Sequence, residues 1–202
     1  MNKYELTSEI LQYAGHTLHR IRALKNFGPV KVGERGGWIE KEGNLSQVND
    51  AWVCGYAKVY DNAVVYGDAM VCGDAKVCGN AMVYGDAKVY GDAKVCGDAI
   101  VCGDAVVYDN AKVYGKAEIG GNAKVRDQAD YIVFKNFWSS GRYFTWTRSN
   151  NKWRVGCFSG TGKELIKKAY ADSDLSGREY ERVVRYVESI LADEKKEKSN
   201  KK

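Results

Sequence analysis

Near the C-terminal end Arg142, Phe144, Trp146 and Arg148 fall two apart, with Tyr143, Thr145 and Thr147 between them. A spacing of two is the period of a strand, so the first set shares one side of a sheet and the second set the other. An arginine beside an indole on a sheet face can stack on a planar ligand and give forked hydrogen bonds to its phosphate or carboxylate. Arg154 follows in the next segment, and Trp138-Ser139-Ser140 precedes the alternation. The candidate ligand contacts are therefore Trp138, Ser139, Ser140, Arg142, Trp146, Arg148 and Arg154, with Arg20 and Arg22 of the basic segment 16–35 as weaker additions. The competing reading for the tryptophans is plain packing against a neighbouring element.

Other chemistry is thinner. Ser159-Gly160-Thr161-Gly162-Lys163 looks like a phosphate loop, but Gly156 is one residue too far from Gly162-Lys163 and Glu164 follows the lysine, so nucleotide hydrolysis is rejected. What fits is Thr161-x-x-Glu164, a capping box that opens a helix. A second box, Ser176-x-x-Glu179, should open a longer helix whose stripe is Tyr180, Val183, Val184, Val187, Ile190 and Leu191. No Cys-x-x-Cys spacing occurs and there are two histidines, His16 and His19, so no metal site and no cofactor are expected.

These residues need a scaffold, and the middle of the chain supplies one. Val53, Val59, Val65, Val71, Val77, Val83, Val89, Val95, Val101, Val107, Val113, Ile119 and Val125 stand six apart without a slip, each preceded by an alanine two residues earlier. Ala-x-Val puts two small or branched side chains on one side of a short strand and the residue between them outside. Glycine follows at most corners, where a positive φ costs least; Asp61, Asp109 and Asp127 take its place at three. So short a unit cannot bury its own apolar side and must stack on copies of itself.

The pattern resembles the hexapeptide-repeat, left-handed parallel β-helix superfamily. That resemblance implies three hexapeptides per coil, a triangular prism and commonly a homotrimer. Segments 33–46, 138–146 and 156–162 also look like a family of uncharacterised phage and prophage proteins with similar modules around a hexapeptide β-helix. The fold expected is mainly β: a small N-terminal β cap (1–50), the β-helix (51–130), a C-terminal β-meander with two helices (131–194) and a disordered basic tail (195–202). Leu45 and Gln47, in register with Ala51 and Val53, suggest an imperfect coil from about Gly36.

With 18 residues per coil, outward residues stack in columns. Val64, Met82 and Ile100, flanked by Tyr66, Tyr84 and Cys102, make an apolar strip that is expected to be the oligomer contact. Lys58, Lys76, Lys94 and Lys112 stack on a second face, read as solvated rather than as an anion groove. Trp52, Met70, Lys88, Val106 and Lys124 share the third.

The net charge of +5 is mild, and no apolar run reaches the ~20 residues of a membrane span. Five of six cysteines occupy the outward repeat position shared with tyrosine. Stacked Cys54/Cys72 and Cys78/Cys96 are close enough to oxidise, but reduced thiols in a cytoplasm, that of a bacterial host if phage-encoded, are expected.

Three functions compete. The superfamily is similar to acyl- and acetyltransferases, which generally use a histidine on or beside the coils and an excursion loop; residues 51–129 contain neither. A purely structural or protein-interaction β-helix is the second. The preferred reading is a non-enzymatic binding protein: a homotrimer that captures a small anionic, nucleotide-like ligand, with the phage resemblance suggesting sequestration of a signal used in bacterial immunity. Nucleic acid is disfavoured because acidic corners interrupt any long basic track, and no membrane partner is expected.

Overall fold

The computed structural model describes residues 2–200. Three longer strands come first: β1 (Tyr4–Tyr13), β2 (His16–Ala23) and β3 (Arg35–Ile39). Thirteen two-residue strands follow: β4 (Trp52–Val53), β5 (Lys58–Val59), β6 (Val64–Val65), β7 (Met70–Val71), β8 (Lys76–Val77), β9 (Met82–Val83), β10 (Lys88–Val89), β11 (Lys94–Val95), β12 (Ile100–Val101), β13 (Val106–Val107), β14 (Lys112–Val113), β15 (Glu118–Ile119) and β16 (Lys124–Val125). The chain then forms β17 (Tyr131–Lys135), β18 (Tyr143–Thr147), β19 (Lys152–Val155), β20 (Phe158–Gly160), α1 (Gly162–Asp172) and α2 (Asp174–Asn200).

The short strands wind into a three-sided parallel β-solenoid. Positions 18 apart pair, so Lys58, Lys76, Lys94 and Lys112 form one column, Val64, Met82, Ile100 and Glu118 a second, and Trp52, Met70, Lys88, Val106 and Lys124 a third. Every alanine and every inward valine or isoleucine of the repeat between Ala51 and Val125 is fully buried. Corner glycines are needed for space as well as for φ: a Cβ on Gly67 (φ +69°) would lie 2.9 Å from the nitrogen of Gly85 on the next coil. Asp61 (φ +58°) and Asp109 (φ +54°) adopt the same conformation, but Asp127 does not. Asp127 is extended (φ −146°) and caps a single 3-10 turn at residues 128–130, because the repeat has already ended there.

The first coil departs from the rest. Ile39 pairs with Val59 and Leu45 with Val65, both 20 apart, whereas Val53 pairs with Val71 at 18. Two extra residues therefore lie between Leu45 and Val53, and Leu45 fills the inward aliphatic position rather than the alanine position its spacing suggested. The bulge has a use: the Gln47 amide accepts from Lys3 N at 2.8 Å and donates to Tyr4 O at 3.3 Å. This fixes β1 over the open end. Between β2 and β3 only a bridge forms, from Phe27 to Val30.

The C-terminal meander closes the other end. The β18 alternation sends Thr145 toward the last coil, where its hydroxyl accepts from Glu118 N at 2.9 Å. Phe144 and Trp146 point the other way, into a core with Trp153, Leu165, Tyr180, Val184 and Val187 contributed by β19 and both helices.

Four expectations need correction. The box at Ser176 does not open α2, which begins at Asp174; Ser173 Oγ caps it by accepting from Ser176 N at 3.1 Å. Residues 195–200 are helical rather than disordered, since Lys and Glu favour helix and pairs such as Lys196–Asp193 (3.4 Å) support the last turns; residues 201–202 lie outside the described part. Cys54–Cys72 and Cys78–Cys96 are disulfide-bonded rather than reduced, each clamping neighbouring coils whose Cα atoms are 4.7 Å apart. Cys102 is 4% exposed, so it contributes no open surface to the apolar strip. Val64, Met82, Ile100, Tyr66 and Tyr84 are half-buried because they stack on one another, the two tyrosine rings lying 4.8 Å apart. Among the described residues no helix is long and apolar enough to cross a membrane.

Candidate functional site

The nine candidate contacts separate into three groups and one residue apart from them, Trp138. Arg20 and Arg22 sit in β2, in the N-terminal cap. Arg20 lies over the Trp38 ring at 5.1 Å and Arg22 pairs with Glu5, so neither joins the C-terminal residues. Three others do structural work. Trp146 is 1% exposed, and its indole donates to Asn151 Oδ1 at 2.9 Å. Arg148 makes a forked pair with Glu194 at 2.6 and 3.0 Å and donates to Ala129 O at 3.0 Å, tying α2 to the end of the solenoid. That hydrogen bond holds the Glu194 carboxyl below the usual range and lifts Arg148 above its own. Arg154 lies against Gly120 and stands 3.8 Å from Glu118 Oε2, so the end of the shaft uses its charge. The alternation was therefore real, but its indole side is a core.

Ser139, Ser140 and Arg142 meet at a cleft of about 400 Å³ between the meander and the two helices. Val155, Phe158, Leu165 and Ala169 supply its apolar wall, and Lys168, Asp172, Ser173 and Ser176 its far rim. Among the described residues Arg142 has no carboxylate within salt-bridge distance, in contrast to Arg148 and Arg154. A second, more open hollow of about 430 Å³ shares Ser140 and Arg142 and adds Asp98, Lys116, Glu118 and Tyr143, so Arg142 stands on the ridge between the two.

Asn136 organises the base of the cleft. It is 2% exposed, donates from Nδ2 to Tyr180 Oη at 3.1 Å and to Ser139 Oγ at 2.8 Å, and accepts from Ser139 N at 3.0 Å. Its backbone N–H donates to Arg142 O at 2.7 Å. The turn that carries Ser139 and Arg142 is thus held from within. Burial pushes the Tyr180 hydroxyl up, so it remains a neutral donor and acceptor. Trp138 lies behind this wall, half-buried, edge-on to Tyr180 at 5.1 Å.

Sequence reasoning missed Asn136, Lys168, Ser173, Ser176 and Tyr180. Tyr180 was visible as part of the α2 stripe, but only as core, and Ser176 only as a helix cap. The others come from segments whose meeting depends on how α1 folds back on the meander. It also missed that His16 stands beside the first coil: its ring is 4.9 Å from that of Tyr60. A histidine therefore does stand beside the coils, although both ring nitrogens of His16 face carboxylates.

Residues 57–73 and 75–91 match the family model of the YdcK β-solenoid repeat. Together with the stacked coils, this decides the architecture. The protein is a β-solenoid repeat protein. The matched segments lie wholly within the solenoid, so they say nothing of the cleft. No curated protein matches the chain.

Proposed function

We propose that this β-solenoid protein binds a small phosphorylated ligand in the C-terminal cleft and holds it without converting it. The observation that carries this reading is Arg142: a guanidinium with no ion pair among the described residues, which together with Lys168 and the hydroxyl-bearing Ser140, Ser173 and Ser176 lines a cleft with an apolar wall. Two cations against one acid, Asp172, favour an anion, and hydroxyl donors suit phosphate oxygens. A volume of about 400 Å³ is in the range of pockets that accept nucleotide-sized molecules. The apolar wall of Phe158 and Leu165 would take the uncharged part.

Joined to the phage resemblance, the reading is sequestration of a nucleotide-derived signal, with the solenoid as a rigid mount. Self-association through the Val64, Met82 and Ile100 column, as a trimer, would set several such clefts on one particle. The test is to incubate the protein with cyclic dinucleotides or cyclic ADP-ribose isomers, desalt, denature and identify what is released. Intact ligand recovered from the native protein and lost in Arg142→Ala supports the proposal. Ligand that stays wholly in the free fraction refutes it.

A further inference from the structure

The opposite end of the column carries a different constellation. The tip of the β1–β2 hairpin lies against the first complete coil and brings His16 to Glu40, just past β3, and to Asp61, at a solenoid corner. His16 Nδ1 is 3.0 Å from Glu40 Oε1, and His16 Nε2 is 3.4 Å from Asp61 Oδ1. One donor atom from each of the three residues lies within 4.8 Å of the other two. Three segments far apart in sequence thus converge one imidazole and two carboxylates.

Each carboxylate is also held from behind. Asp61 N donates to Glu40 Oε2 at 2.7 Å, and Gly79 N donates to Asp61 Oδ2 at 3.0 Å. One oxygen of each acid is anchored on a backbone amide, and the other is presented to the ring. Outer hydrogen bonds of this kind orient metal ligands and fix their geometry.

We propose that His16, Glu40 and Asp61 form a binding site for a divalent transition-metal ion such as zinc. Imidazole with carboxylate oxygens is the donor set that suits such ions. With Zn–N and Zn–O bonds of about 2.0–2.2 Å, two donors on one tetrahedral ion stand roughly 3.3–3.6 Å apart. The separation of His16 Nε2 from Asp61 Oδ1 is 3.4 Å, so an ion can enter there with little rearrangement. Glu40, accepting from Nδ1–H, fixes the tautomer that leaves Nε2 free to ligate.

The charges balance. A neutral imidazole with two carboxylates carries −2, which a divalent ion neutralises. Without an ion, the same geometry is served by an imidazolium between the two acids, leaving −1. Binding therefore exchanges the proton on the ligating nitrogen for the ion, and the proton leaves to solvent. The side chains are 26%, 28% and 37% exposed, so water can complete the coordination and the ion needs no gate. Its structural effect is to clamp the hairpin tip to the shaft.

The experiment is calorimetric titration of zinc chloride into protein stripped with EDTA and dialysed, alongside His16→Gln, Asp61→Asn and the control His19→Gln. The proposal expects one ion per chain in the parent and in His19→Gln, and affinity at least about tenfold weaker in the other two, the scale of a lost ligand or its support. It also expects zinc to raise Tm in the parent and not in His16→Gln. Asp61→Asn guards against misfolding, since its amide oxygen still accepts from Gly79 N. Zinc bound equally by the parent and His16→Gln would place the ion elsewhere, for example on the exposed thiol of Cys157, and overturn the proposal; so would no binding at all.

Discussion

Lys3 is 1% exposed, and its ammonium donates to Asn49 O at 3.1 Å and Ala51 O at 2.8 Å with no carboxylate in contact. Burial is the main cause that depresses its pKa from 10.5 to about 8. The charged form is thus the one that folding disfavours. Between about pH 8 and 10.5 the unfolded chain binds the proton and the native chain has released it, so stability rises with pH there. From those two pKa values the gain is about 2 kcal/mol on going from well below pH 8 to about pH 9.5. Above pH 10 the sign reverses, because desolvated tyrosines such as buried Tyr4 and half-buried Tyr131 have raised values and the unfolded chain ionises first. The assay is urea denaturation at steps from pH 7 to 9.5 for the parent and Lys3→Met, with the disulfides kept oxidised. The parent should gain about 2 kcal/mol relative to Lys3→Met over that interval. Parallel curves for the two proteins would show that the ammonium is not desolvated as described.

Reduction should be costly: each disulfide spans 18 residues, and loops of that size are worth about 3 kcal/mol in the chain-entropy view. A reductant that leaves the denaturation midpoint unchanged would argue against both clamps. Arg148→Met should release the end of α2, seen as faster amide exchange over residues 189–200; unchanged protection would mean the forked pair holds nothing. Because Arg148 depresses the Glu194 pKa, the pair contributes above the normal carboxylate range and is lost as pH falls through the depressed value. Ile100→Asp or Met82→Lys should turn the proposed oligomer into monomers, and light scattering that still reports the parent mass in both would remove that face from consideration.

The shaft was legible because its signal is strictly periodic: one aliphatic in six, alanine two before it and a corner residue two after. Stacking such a unit leaves few alternatives, and the columns of Lys58 and Val64 follow from counting to 18. The first coil was not legible, since its two extra residues are accommodated by Gln47 bonding to β1, a contact that local spacing does not encode. The fate of Trp146 was half legible. Alternation told which residues share a side, but not that α1 and α2 cover it. Arg148 and Glu194 are 46 residues apart, and no pattern in either segment announces the other. The same is true of His16 and Asp61, which meet only through the register of β2 on β3.

A stack of identical coils offers flat faces, with like residues repeating about every 4.8 Å, and a flat face cannot surround a ligand. Concavity and mixed donor sets arise where the period fails. At one end it fails at the 20-residue coil, where the β1–β2 hairpin lies alongside and sets an imidazole among corner carboxylates. At the other it fails after Val125, where the meander turns one side to Glu118 and the other to the helices, leaving Arg142 between two hollows. The two ends should therefore respond separately. Arg142→Ala should abolish capture of the phosphorylated ligand with little change in stability, because its guanidinium makes no ion pair among the described residues. His16→Gln should leave capture intact and change only the hairpin end. Loss of capture in His16→Gln, with Arg142→Ala unaffected, would mean that the site lies on the hairpin end and that the cleft is only a gap left by packing.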